Sequence, residues 1–245
     1  MPDIPAAAAM ALACLRARGP RVQCLTNTVA QAITANLLHA AGVRASMSTH
    51  PAEVAAMSAS ADALLVNLGT PDAAREAAVP VAIAATSKAG RPIVLDPVFV
   101  DASPVRMSLA ARVLETPGVV VKGNEREMAA LARTHGPALQ RAAVLVTTGP
   151  VDVVRAGSRT ARIANGHPYM AAVTGLGCAA GALVAAFLAV ERDAFLATSA
   201  ALLTLGIAGE VAAEHSQGPG SFAVALLDAM HHLDAVTLQS RARLS

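Results

Sequence analysis

The stretch ALLVNLGTPDAAREAAVPVAIAATSKAGRPIVLDP, residues 63–97, places a long alanine-rich segment between two short apolar runs. Ala63–Leu68 and Pro92–Leu95 are apolar on both faces, as parallel strands covered by helices on each side must be. Residues 72–89 between them are long enough for a helix. The same alternation extends outward. Val22–Leu25, Gly118–Val121 and Ala143–Val146 are further strands, and residues 29–41, 51–59, 104–115 and 125–134 are helices, with Ser103-Pro104 as N-cap and first helical residue. This βαβα order predicts an α/β protein with a mostly parallel central sheet and helices on both faces.

After Gly149 the rhythm changes. Val151–Arg155 and Arg159–Ile163 flank the turn Ala156-Gly157-Ser158 and form an expected hairpin. From Cys178 onward the pattern is all-helical, in segments near 178–190, 194–213 and 219–238. Nothing along the chain has the composition of a flexible linker, so residues 1–245 are taken as one domain.

Composition narrows the partners. A formal charge of +2, 2% aromatic residues and no Trp argue against nucleic acid and leave small molecules as the expected ligands. Cys14, Cys24 and Cys178 have neither a disulfide framework nor a metal-knuckle spacing, which points to a reducing cytoplasm. The mean hydropathy of +0.50 raises the question of a membrane span. Ala194–Gly209 carries no charge, but it falls short of the roughly 18 to 20 residues a span requires and includes Thr198, Ser199 and Thr204. A buried helix is expected there, and no membrane partner. Met1–Met10 has Asp3 and no basic residue ahead of its alanines, unlike a signal peptide.

In open α/β sheets ligands sit beyond the carboxyl ends of the strands. The residues there are Thr26-Asn27, Asn67-Leu68-Gly69-Thr70, Asp96-Pro97, Lys122-Gly123-Asn124 with Glu127, and Thr147-Thr148-Gly149. Thr174-Gly175-Leu176-Gly177-Cys178 adds a glycine turn at a helix start, where unpaired backbone N–H groups favour an anion. Cys178 is expected as the first side chain of that helix, in a field that favours its thiolate. Asp96 and Glu127 are oxygen ligands of the kind Mg²⁺ prefers, Lys122 offers a cation to a polyphosphate, and Thr148-Gly149 offers a hydroxyl and exposed backbone. The set suits phosphoryl transfer, although no Walker A sequence occurs.

Taken in order, these motifs resemble the hydroxyethylthiazole kinases of thiamine salvage, members of the ribokinase-like superfamily. The resemblance rests on Val22–Asn27, Ala35-Asn36, Ser46-Met47 before Pro51-Ala52-Glu53, Asn67–Thr70, Val94–Val98, Lys122-Gly123-Asn124 with Glu127, Thr148-Gly149 with Asp152, Val173–Cys178 and Gly218–Phe222. It implies a ribokinase-like three-layer sandwich that phosphorylates 4-methyl-5-(2-hydroxyethyl)thiazole with ATP. By the same resemblance Cys178 is the catalytic residue, a modest base or positioning group. Asn27, Met47 and Gly175 would line the thiazole side, Lys122, Thr148 and Gly177 would hold ATP, and Asp96 with Glu127 would organise Mg²⁺. A homotrimer with the thiazole pocket at the subunit interface is also implied. The chain departs from the family pattern at Phe99 and Asp101, where glycines are usual, and at Lys122, where arginine is usual. Phe99 and Asp101 are expected to crowd the approach to phosphate and to add negative charge near the metal. Three other readings remain open: a kinase for hydroxymethylpyrimidine or a pyridoxal-like vitamer, an ATP-dependent dehydratase of hydrated nicotinamide cofactor, and a non-enzymatic ligand-binding protein.

Overall fold

Helix starts along this chain are set largely by short polar side chains. Asp3, Asp72, Ser103, Asn124, Asp193 and Asp234 each accept a first-turn backbone N–H, and so close α1 (Ile4–Arg18), α4 (Ala73–Lys88), α5 (Pro104–Leu114), α6 (Glu125–Leu139), α9 (Ala194–Glu214) and α11 (Ala235–Arg241). The remaining helices are α2 (Gln31–Ala40), α3 (Val54–Ser60), α7 (Tyr169–Ala172), α8 (Leu176–Leu188) and α10 (Pro219–His232). The strands are β1 (Arg21–Leu25), β2 (Arg44–Ser46), β3 (Ala63–Asn67), β4 (Ile93–Asp96), β5 (Val120–Asn124), β6 (Val144–Thr148), β7 (Asp152–Ala156) and β8 (Arg159–Ile163). The computed structural model describes residues 3–245.

All eight strands form one sheet in the order β2-β1-β3-β4-β5-β6-β7-β8. It is parallel from β2 through β6, and β7 and β8 add an antiparallel edge. Alternation along the strands divides the core in two. Val22, Cys24, Leu65, Val94 and Val120 point into a layer formed by α1, α2, α8, α9 and α10. Leu64, Val66, Ile93, Leu95 and Val121 point into the opposite layer, formed by α3, α4, α5 and α6. The fold is therefore a three-layer α/β sandwich, as the apolar runs predict.

Four details differ from the sequence reading. Helix α1, to which the sequence reading assigned no element, begins at the Asp3 cap and ends at Gly19, whose left-handed φ of 54° lets its N–H return to Leu15 O. The edge strand β2 is only three residues long and was not foreseen. Helix α6 runs past Thr134 to Leu139 across a kink at His135, next to Gly136-Pro137. The last expected helix, 219–238, is two helices. Helix α10 stops at His232, and Asp234 restarts the chain by accepting the Thr237 N–H at 2.8 Å.

Helix α9 is, among the described residues, the one long and apolar enough to cross a membrane. Most of it is buried between the sheet and its neighbouring helices, which accounts for its apolarity.

Candidate active site

Parallel register brings the strand ends level. Asn67 at the end of β3 lies opposite Asp96 at the end of β4, and Asn124 of β5 lies opposite Thr148 of β6. From this alignment a buried polar chain follows. Asn67 Nδ2 donates to Asp96 Oδ2 at 3.0 Å, and Lys122 Nζ lies 3.5 Å from the same oxygen. Asn27 Nδ2 donates to Asn67 Oδ1 at 3.0 Å and to Cys178 Sγ at 3.3 Å. Asn67 Oδ1 also accepts the Gly69 N–H, and Asn27 Oδ1 accepts the Ala30 N–H ahead of α2. Five side chains from four strand ends and one helix start are thus connected.

Helix α8 reaches this chain because it packs unusually close to the sheet. A Cβ on Gly181 would lie 3.0 Å from Leu65 Cδ1 and 3.5 Å from Asp96 Oδ2. Its start is set by Gly175, whose φ of 83° is left-handed and whose Cβ would fall 2.9 Å from Ala30 Cα. No side chain caps α8. The Leu176 N–H goes to Val173 O and the Ala179 N–H to Gly175 O, so the Gly177 and Cys178 N–H groups between them have no backbone acceptor among the described residues. A Cβ on Gly177 would meet nothing within 4 Å, so that face of the turn opens onto free space.

The electrostatics correct one expectation. Cys178 is the third residue of α8 rather than its first side chain, and Leu176 ahead of it is buried. Burial and the neighbouring Asp96 raise the Cys178 thiol above its usual value, against the pull of Asn67, Asn27 and Lys122. The resting group is a thiol. Burial likewise pushes the Asp96 carboxyl up to about 6, helped by Glu127 and opposed by Lys122 and Asn67. Burial works against the Lys122 ammonium, but Asp96, Cys178, Glu127 and Asp152 more than offset it and hold the ammonium above its usual value. Lys122 is 4% exposed and committed to Asp96 rather than open to an incoming polyphosphate.

Glu127 forms a reciprocal capping box with Asn124. Its Oε2 accepts the Asn124 N–H, its N–H donates to Asn124 Oδ1, and its Oε1 accepts the Phe99 N–H, the first and last at 2.8 Å. Phe99 takes a left-handed φ of 54°, where glycine is the unstrained residue, and its ring faces solvent beside Arg106. The charge of Asp101 is paired with Arg126 at 2.8 Å. Thr148 is half-buried at the end of β6, beside the turn in which Asp152 accepts the Gly149 N–H at 3.0 Å. Met47 is half-buried just past β2, the open edge strand that pairs with β1. Among the described residues no cluster of three His, Cys, Asp or Glu side chains surrounds a metal-sized space.

Asn67, a strand-end residue with no role expected from sequence, is central to the site. It links the two halves of the polar chain, and its sequence signal was a lone amide closing an otherwise apolar strand. Asp152, half-buried in the turn after β6 and close enough to act on Lys122, joins the site as well.

Residues 12–138 and 134–236 match the hydroxyethylthiazole kinase family. The chain belongs to that family. A hydroxyethylthiazole kinase of Granulibacter bethesdensis is 42% identical over 252 residues, covering 95% of this chain and 92% of its own. The solved structure of a hydroxyethylthiazole kinase protein from Pyrococcus horikoshii OT3 superposes with a TM-score of 0.92 at 36% identity, covering 97% of this chain and 98% of that one. A ribokinase-like superfamily protein of Enterococcus faecalis shares the fold alone, with a TM-score of 0.65, 16% identity and 88% coverage of each chain. The sandwich is accordingly ribokinase-like, and this member carries Thr-Gly-Leu-Gly-Cys at residues 174–178.

Proposed function

We propose that this protein transfers the γ-phosphoryl group of ATP to the hydroxyl of 4-methyl-5-(2-hydroxyethyl)thiazole, acting as one kinase domain in thiamine biosynthesis. The observation that carries this reading is the pair of open N–H groups at Gly177 and Cys178, one hydrogen bond from the buried Asn27–Asn67–Asp96–Lys122 chain. Open amides at a helix start suit the charge on a transferred phosphoryl group. Beside them Cys178 Sγ, oriented by Asn27, is within reach of a hydroxyl seated in the turn. A thiol raised by burial is a poor base at rest, and in a loose phosphoryl-transfer transition state orientation matters more than early proton removal. Cys178 therefore positions the alcohol as a thiol, and the alcohol's proton passes late to an oxygen of the transferred phosphoryl group.

ATP enters at the β5–β6 side, where Thr148 and Gly177 offer a hydroxyl and backbone. Lys122 acts there by compensating Asp96. The donor set fits Mg²⁺. Asp96 and Glu127 are buried carboxylates near one ammonium that pairs with Asp96 alone, and the protein contacts to Asp96 fall on Oδ2, leaving Oδ1 without a protein partner among the described residues. Asp96 and Glu127 would hold the ion, Glu127 through water because both its oxygens already accept backbone N–H groups. When bound, the ion would supply charge neutralisation on the phosphates.

The thiazole side comprises Asn27, Gly175 and Met47, and we place it at an interface of a homotrimer. Val29, two residues from Asn27, is 59% exposed, and β2 has an open outer edge beside Met47; both leave this half of the site uncovered in a single chain. Three free cysteines suit a cytoplasmic setting.

A mass-resolved assay with MgATP and the thiazole alcohol, run beside hydroxymethylpyrimidine and a no-alcohol control, tests the function. Thiazole phosphate with stoichiometric ADP is expected. Phosphate on the pyrimidine alone, or ADP without any phosphorylated alcohol, would replace this reading with another activity.

A further inference from the structure

Four cationic side chains lie around the carboxyl ends of β3, β4 and β5, and three are already committed. Lys122 is buried on Asp96. Arg75 is buried and divided between Asp72, Gly69 O and Thr70. Arg106 donates to Val98 O at 2.7 Å and lies over the Phe99 ring. The fourth, Arg126, is different. It stands in the first turn of α6 directly before Glu127, its side chain is 83% exposed, and among the described residues its one polar contact is a single hydrogen bond to Asp101 Oδ2. Asp101 sits in the turn Val100–Ala102, which the Phe99 N–H ties to Glu127. Arg126 and Asp101 therefore flank the carboxylate proposed for the metal, with the guanidinium on the solvent side.

We propose that Arg126 is the guanidinium that grips the nucleotide's phosphates, and that Asp101 is a resting partner which the nucleotide displaces. This rests on the nucleotide-binding reading above. With Lys122 withdrawn onto Asp96 and Arg106 half-buried over the Phe99 ring, Arg126 is the exposed cation at this rim, and a planar fork matches two phosphate oxygens where Asp101 engages it through one. The guanidinium is 83% exposed while the Asp101 side chain is 12% exposed, so solvent screens the pair from the arginine side, and a multiply charged ligand offers Arg126 more oxygens than the one it now holds. Asp101 in turn keeps an unpaired cation from attracting other anions while the site is empty of nucleotide.

The test is equilibrium binding of ADP by calorimetry, together with KM for ATP, on three variants of the full chain. Arg126→Gln weakens ADP and raises the ATP KM about tenfold, with the thiazole KM and the unfolding midpoint unchanged. Arg126→Lys falls between. Asp101→Asn moves the other way and tightens ADP about two- to fivefold, because the competing partner is gone. If Arg126→Gln binds ADP as the parent does, or if both substitutions weaken ADP alike as a purely structural latch would, the inference is overturned. A parent protein that binds no ADP at all would instead remove the nucleotide reading beneath it.

Discussion

Gly177→Ala separates the function of the α8 turn from its stability with one methyl group. The added Cβ meets no atom within 4 Å, and the Gly177 φ lies outside the left-handed region. Position 177 is the second residue of a helix, so alanine restricts the unfolded chain and favours the helix. The variant should be as stable as the parent or more stable by about 0.5 kcal/mol. Its methyl occupies the space before the two open N–H groups, and losing one such donor to a reacting oxyanion costs about 100- to 1,000-fold in turnover. Urea unfolding and kcat for thiazole phosphorylation are measured on the same preparation. Gly175→Ala is the control, since it combines a left-handed φ with a 2.9 Å approach to Ala30 Cα and should lose about 2 kcal/mol or more. If Gly177→Ala keeps full turnover, the open amides are not where the phosphoryl group passes. If it unfolds, the turn is packed against something the structure does not contain.

Four further outcomes are expected. Asn67→Ala removes the acceptor for Asn27 and Gly69 and a donor to Asp96, so denaturant titration should show a loss of about 2–4 kcal/mol, and a loss below 0.5 kcal/mol would mean water restores the chain. Asp96 titrates near 6 when folded and near 4 when unfolded; between those values the folded state binds more protons, so its contribution to stability falls as pH rises while activity that needs its anion rises. Asp96→Asn should abolish activity, and on going from pH 4 to 7 its stability relative to the parent should improve by about 2 kcal/mol; parallel pH–stability curves would contradict the shift. Cys178→Ala should retain a kinase slowed about 10- to 100-fold and Cys178→Asp should stay active, because the Asn27 donor serves either acceptor; an inactive but folded Cys178→Asp would count against the positioning role. Arg16→Ala removes three hydrogen bonds to carbonyls of Met230, His231 and Leu233 and should cost about 1–3 kcal/mol while leaving kcat per folded molecule intact.

The sheet was legible because each buried strand is apolar on both faces, a pattern that does not depend on what lies beside it. The edge strand β2 was not, since Arg44-Ala45-Ser46 is half-exposed and too short to carry a period. Helix α1 escaped notice because its alanines blur any apolar face, although Asp3 and Gly19 mark both ends. At the site, sequence pattern could bring forward Asp96, Lys122 and Cys178, since each stands at a strand end or helix start. It could not show that Lys122 turns inward to Asp96, because that depends on the register of β4 with β5 and on α8 closing above them. Nor could it show that burial holds the Cys178 proton, which is a property of the assembled crevice.

The clasp of Arg16 on the end of α10 joins residues 214 to 217 positions apart. At ribosomal speeds of roughly 5–20 residues per second, the first helix waits about ten to forty seconds for the carbonyls that hold it. Throughout that interval the apolar sides of α1 and β1, which α8, α9 and α10 later cover, face water. The residues of the crevice, 27 to 178, are thus all made before the helix ends that fasten α1 in place.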